Sequence, residues 1–182
     1  VSGSDGSAPI LLSATYKDTN GDGTVNRIDA VYSEAITGSA FESGDWTFPA
    51  NPASLSVGSG SISGSTVQIT VTGAPANTTV LGTTTVKYTN QGTSNSMTDG
   101  TNASATSSDI TVSDETVPIL LSASYKDTNG DGTVNRIDAV YSEDITSSTF
   151  ESGDWTFPTN PASLSVGSGA FSGSTVQITV TG

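Results

Sequence analysis

Residues 66–72 alternate without a break: Val67, Ile69 and Val71 are apolar, and Gln68 and Thr70 between them are polar. A period of two is what a strand needs when one face packs inward and the other meets water. The pattern recurs along the chain. Residues 10–16 set Ile10, Leu12, Ala14 and Tyr16 on one face, residues 27–34 do the same with Ile28, Ala30 and Tyr32, and residues 81–89 with Val86 and Tyr88. Trp46 and Phe48 flank Thr47, Leu55 and Val57 share a face, and residues 109–112 make a last short strand. Residues 58–64 read as a glycine- and serine-rich turn, and the polar residues 90–108 as a long surface loop. Trp46, Trp155, Tyr16, Tyr32 and Tyr88 fall on inward positions, so they are expected in a core rather than on a sugar-stacking platform. Short strands at spacings of about 8–12 residues, with turns between, predict an all-β sandwich.

The same pattern returns with an offset of 109, Pro9 falling on Pro118 and Gly73 on Gly182. Within that span only Thr15/Ser124, Ala35/Asp144, Gly38/Ser147, Ala40/Thr149, Ala50/Thr159, Ser61/Ala170 and Ile62/Phe171 differ. A unit of this length is a whole sandwich domain, well above the roughly 20–45 residues of a solenoid repeat. The expected organisation is residues 1–7 as the end of a preceding repeat and a linker, 8–116 as one repeat, and 117–182 as a second, incomplete copy. That copy lacks counterparts of Val80, Val86, Tyr88, Ile110 and Val112, which predicts an open edge and half a core. Continuation as a longer polymer is the expected remedy, with strand donation by a neighbouring chain as the alternative.

Between the first two predicted strands lies Asp18-Thr-Asn20-Gly-Asp22-Gly23-Thr24-Val-Asn26-Arg-Ile-Asp29, and it recurs from Asp127 to Asp138. Oxygen-bearing residues stand at loop positions 1, 3, 5, 9 and 12, with glycine at position 6. That is the spacing by which a short loop wraps a hard cation such as Ca²⁺. Asp18, Asn20 and Asp22 are expected to converge on the ion, Gly23 to allow the bend, and Thr24 to offer its carbonyl. Asn26 would add a direct or water-bridged oxygen and Asp29 the closing carboxylate. The second set is Asp127, Asn129, Asp131, Thr133, Asn135 and Asp138. The plainer alternative is an acidic surface turn, but the closing acid and the exact duplication of the loop favour calcium.

Composition narrows the function. The 182 residues carry five Lys and Arg against 18 Asp and Glu, a net charge of −13, so a phosphate-binding surface and a nucleic-acid partner are not expected. No apolar run approaches the roughly 18 residues that span a bilayer. Residues 1–5 show no secretory signal, which does not argue against secretion. Cysteine and histidine are absent, which excludes disulfides, thiolate zinc sites, thiol nucleophiles and the commonest general base. The remaining acids cluster in the loops and linkers rather than around a cleft, so the chain is not expected to be an enzyme. Asp5, Glu34, Asp114, Glu115 and Asp144 lie toward the domain junctions, where solvated carboxylates are the simpler reading and a second ion the sharper one. Asn77 and Asn102 open N-glycan acceptor triplets of a kind that chance supplies in a Ser/Thr-rich chain.

Pro9 to Ala14, the loop, and Arg27 to Glu34 together resemble the opening of bacterial immunoglobulin-like domains, and Gly64 to Gly73 and Thr84 to Tyr88 resemble their later strands. The resemblance implies tandem immunoglobulin-like β-sandwich domains on secreted, surface-layer or adhesin-type proteins. The loop alone is similar to that of dockerins, but those modules pair two loops within about 60 residues and follow each with a helix. Here the spacing is 109 and a strand follows. The expected function is an extracellular structural protein whose copies assemble into a surface layer, stalk or filament. The alternative is a cell-surface adhesin domain that binds a glycan or protein.

Overall fold

A computed structural model describes residues 6–37, 39–75, 81–146, 149–160 and 162–182. The chain divides into two compact units, Val1–Thr116 and Val117–Gly182. The first contains β1 (Leu11–Lys17), β2 (Thr24–Tyr32), β3 (Trp46–Thr47), β4 (Val57–Ser63), β5 (Thr66–Pro75), β6 (Thr85–Tyr88) and β7 (Ile110–Asp114). The second contains β8 (Leu120–Lys126), β9 (Arg136–Tyr141), β10 (Ser165–Ser172) and β11 (Thr175–Thr181).

In the first unit the strand order is β3-β6-β7-β1-β2-β5-β4. The central strand is β1, antiparallel to β2 and parallel to β7 through Ala14↔Val112, Thr15↔Ser113 and Tyr16↔Asp114. Strands β2 and β6 are three steps apart in this order, roughly 14 Å at ordinary strand spacing. Yet the rings of Tyr32 on β2 and Tyr88 on β6 meet edge to face at 6.3 Å. The sheet therefore folds over at β1 into two layers, β1-β2-β5-β4 against β7-β6-β3. Between them lies a single core that includes Tyr16, Ile28, Ile69, Val86, Tyr88 and Trp46. The result is an all-β sandwich.

Three expectations need correction. Ile10 and Leu12 do not share the face of Ala14 and Tyr16: they are 62% and 58% exposed, while Leu11 is 4% exposed. A register shift between Leu11 and Ser13 exchanges the faces, as one inserted residue in a ladder must. Of residues 58–64 only Gly64 turns, at φ +60°; residues 58–63 are most of β4, paired with β5. Residues 90–108 form more than a surface loop, since Ser96, Met97 and Ser104 are buried and Met97 donates its N–H to the Tyr88 hydroxyl. Of the acceptor triplets, Asn77–Thr79 lies outside the described residues. Asn102 donates to the Ser7 carbonyl and the Asp99 carboxylate.

The second unit is a four-stranded sheet, β10-β11-β9-β8, in which β11 and β9 repeat the register of β5 and β2. One face buries Ile137, Ala139, Val176, Ile178 and Val180. Strand β8 lacks, among the described residues, the cover that β7 and β6 give β1, while the inward residues of β9 and β11 stay buried against Phe150, Trp155 and Phe171. Tyr125 is 61% exposed where Tyr16 is 1%, and Leu120 is 49% exposed where Leu11 is 4%. Trp155 and Thr156 form no strand, whereas Trp46 and Thr47 do so by pairing with Tyr88 and Lys87. The aromatic stack survives: Phe150 lies on Trp155 at 6.1 Å, as Phe41 lies on Trp46 at 6.3 Å.

The turn before β3 buries an acid. Asp45 is 1% exposed, and its Oδ2 has no hydrogen-bond partner among the described residues. Burial, reinforced by the nearby Glu42 charge and only partly offset by Gln91, raises its pKa above the ordinary value. Stability from a raised carboxyl is full below the ordinary value of 3.8 and is lost as pH rises through the folded value. Asp45→Asn is therefore expected to stabilise the first unit at neutral pH and to flatten its decline between about pH 4 and pH 7. Denaturant unfolding followed at both pH values reads this directly, and an unchanged slope would rule out Asp45 as its source.

Candidate metal centre

The loop between β1 and β2 holds its shape through its own side chains. Asp18 ends the reach of β1, and the chain reverses through Gly21 and Gly23, whose φ angles are +72° and +81°. Side chains with a Cβ rarely adopt these angles, so glycine suits both positions. The Asp18 carboxylate accepts from the backbone N–H of Gly21 at 2.8 Å and of Gly23 at 2.7 Å. Asp22 accepts from the Thr24 N–H at 2.8 Å and from the Asn20 amide at 2.8 Å. The Asn26 amide donates to the Asn20 Oδ1 at 2.8 Å, and Asn26 Oδ1 accepts from the N–H and hydroxyl of Thr19. Asp18, Asn20, Asp22 and Asn26 are thus gathered into one cluster of oxygens and amides, with Thr24 at the start of β2.

The second loop reproduces this arrangement. Asp127 accepts from Gly130 and Gly132 at 2.7 and 2.8 Å, Asp131 from Thr133 and Asn129, and Asn135 donates to Asn129 at 3.0 Å. Asn135 Oδ1 again receives the N–H and hydroxyl of the preceding threonine, Thr128. The loop has the same geometry in a complete sandwich and in a single sheet, so its conformation is set locally.

Asp29 and Asp138 do not join these clusters. Asp29 lies within β2, cross-strand from Thr15 and Gln68, and its carboxylate pairs with Arg27 Nε at 2.7 Å. Asp138 pairs with Arg136 at 2.7 Å in the same way. Residues two apart on a strand share a face, which puts each arginine within reach of its acid. Among the described residues, no three His, Cys, Asp or Glu side chains are grouped closely enough to hold a metal ion. Thr19, Gly21 and Arg27 are structural participants that the ligand spacing does not single out. Their signal is that loop positions 2, 4 and 10 recur unchanged in the second copy.

The electrostatics favour charged acids. Asp22 is held below the ordinary carboxyl value by the Asn20 side chain and then the Thr24 N–H, and Asp131 by the Thr133 N–H and then Asn129. Their contribution is present above the ordinary carboxyl range and is lost as pH falls through the lowered value. The junction acids are also engaged: Glu115 pairs with Lys17, and Asp114 accepts from the N–H and hydroxyl of Thr116.

Each carboxylate oxygen that accepts one N–H keeps a lone pair for a second interaction. The Asn20 and Asn26 amides present N–H₂ groups toward this cluster, and a half-turn of each amide exchanges nitrogen for oxygen. Four side chains can thereby offer oxygens of the kind a hard cation takes. A search of known protein families, characterised proteins and solved structures finds no match to this chain.

Proposed function

We propose that the chain is an extracellular structural protein of near-identical immunoglobulin-like units, each with a Ca²⁺ ion closing the hairpin between its first two strands. The strand order supports the fold assignment. Layers β1-β2-β5-β4 and β3-β6-β7 correspond to the A-B-E-D and C-F-G sheets of a seven-stranded immunoglobulin sandwich. Duplication supports the structural role, since equivalent units make equivalent contacts at regular intervals.

The observation that carries the calcium reading is the matching oxygen cluster in two units whose surroundings differ. Asp18, Asn20, Asp22, Thr24 and Asn26 are the first ligands in this reading, with Asp127, Asn129, Asp131, Thr133 and Asn135 in the second loop. Asp29 and Asp138 complete each set once their arginines release them. A divalent ion turns the repulsion between neighbouring carboxylates into attraction, so binding couples to the order of the hairpin. Sites in extracellular modules commonly bind at about 10⁻⁴–10⁻³ M.

Calorimetric titration with CaCl₂ is expected to show one site per loop, and excess EDTA to lower the melting temperature and speed proteolysis of the hairpins. Identical melting with and without EDTA would refute the assignment. Arg27→Ala frees the Asp29 carboxylate and is expected to tighten calcium binding at the first loop. Unaltered affinity in that variant would remove Asp29 from the ligand set while leaving the loop reading intact.

A further inference from the structure

We propose that Asn20 and Asn129 are sites of spontaneous deamidation, restrained while their loops are closed and released when a loop opens. They are the two asparagines of the chain that glycine follows. Asn20, Gly21, Asn129 and Gly130 are all exposed to water. Glycine carries no side chain to shield its backbone nitrogen, so the Gly21 nitrogen can attack Cγ of Asn20. The nitrogen gives its proton to water or hydroxide, the N–Cγ bond forms, the Cγ–Nδ2 bond breaks, and ammonia leaves. Water then opens the cyclic imide at either carbonyl, which yields aspartate or its isomer linked through the side chain. One water is consumed for each ammonia released.

In the closed loop both reacting groups are engaged elsewhere. The Gly21 N–H donates to Asp18 Oδ1 at 2.8 Å. The attacking nitrogen thus lies against a carboxylate, whose charge opposes the loss of its proton. The Asn20 amide is held at both of its atoms: Nδ2 donates to Asp22 Oδ2 at 2.8 Å, and Oδ1 accepts from Asn26 Nδ2 at 2.8 Å. The second loop repeats each restraint. Gly130 donates to Asp127 at 2.7 Å, and Asn129 is held by Asp131 at 2.9 Å and by Asn135 at 3.0 Å. Ring closure has to break these bonds, so it proceeds from the fraction of molecules whose loop is open. The product cannot restore the same loop. Asn20 loses the N–H₂ that Asp22 accepts, and two carboxylates then repel each other at that point. The isomer also lengthens the backbone between residues 20 and 21 by one carbon. Each event therefore adds a negative charge and leaves its hairpin looser.

The test incubates the intact chain in mildly alkaline buffer with EDTA, digests samples at intervals and weighs the peptides by mass spectrometry. The small gain in mass from amide to acid marks each event. The parent is expected to deamidate at Asn20 and Asn129, and several times more slowly than a linear peptide of residues 15–27. Asp18→Ala should speed the reaction at Asn20 about three- to fivefold, the effect of losing weak, partly exposed hydrogen bonds. Asn129 should keep its parental rate in that variant. Asp127→Ala should do the reverse, so the untouched loop is the reference within each molecule. Amides of Ile28 and Ile69 should stay protected in Asp18→Ala, which confines the opening to the loop. If they do not, Asp127→Ala read against Ile137 and Ile178 carries the test. The proposal is overturned if the parent reacts as fast as the peptide, or if neither variant separates the two asparagines. EDTA is present throughout, so neither result bears on whether the loops take up calcium.

Discussion

Tyr16→Ala is expected to cost the first unit about 3–5 kcal/mol, while Tyr125→Ala costs the second under about 1 kcal/mol. The two tyrosines occupy the same position in almost the same strand sequence, so intrinsic propensity cancels between them. What differs is cover. Tyr16 is 1% exposed within the single core between the two layers, and Tyr125 is 61% exposed on the bared strand β8. Truncating a buried ring removes its transfer energy and leaves a cavity, whereas an exposed ring has little of either to lose. Domains are commonly stable by about 5–15 kcal/mol, so the first substitution brings its unit close to unfolding. Native-state hydrogen exchange separates the two effects. Amides of Ile28 and Ile69 report on the first unit, and those of Ile137 and Ile178 on the second. Equal losses in both units would mean that Tyr125 is covered in solution.

Replacing Asp18 and Asp127 together by alanine is expected to abolish calcium binding and to loosen both hairpins even without calcium. Each carboxylate accepts two backbone N–H groups, and all four donors belong to glycines at positive φ. Hydrogen bonds to a charged acceptor are worth about 1.5–3 kcal/mol when sheltered, and exposure reduces that to about 1 kcal/mol or less per loop, least at the exposed Asp127. Calcium at ten times its dissociation constant adds about 1.4 kcal/mol per site to the parent alone. The gap in melting temperature between parent and variant should therefore be measurable in EDTA and wider in calcium. A gap of the same size in both conditions would leave Asp18 and Asp127 as turn-forming residues only.

How far the sequence could be read depended on whether its pattern had one solution. Val67, Ile69 and Val71 alternate with polar residues, so a single face was available for burial, and all three are buried in β5. Ile10-Leu11-Leu12 is apolar on both parities, and only the shift in the β1–β2 ladder decides for Leu11. The glycines and serines of residues 58–64 suggest a turn, but smallness there serves packing. A side-chain carbon on Gly60 would sit 2.5 Å from the Phe41 ring. Met97 gave no periodic signal because it is buried by a chain that folds over the Tyr88 hydroxyl without forming a strand. The cluster of Asp18, Asn20, Asp22 and Asn26 followed from spacing, since these residues lie within one turn. The position of Asp29 did not, because spacing along the chain says nothing of a competing arginine on the same strand face.

The parallel contact of β1 with β7 has a mechanical consequence. These strands lie near the two ends of the first unit, side by side and pointing the same way. Tension applied through the ends would drag them past each other lengthwise, so their cross-links must fail together rather than one at a time. The Lys17–Glu115 clasp stands at the end of that seam. A unit wired in this way resists traction between its own ends in a manner that its thermal stability alone would not disclose.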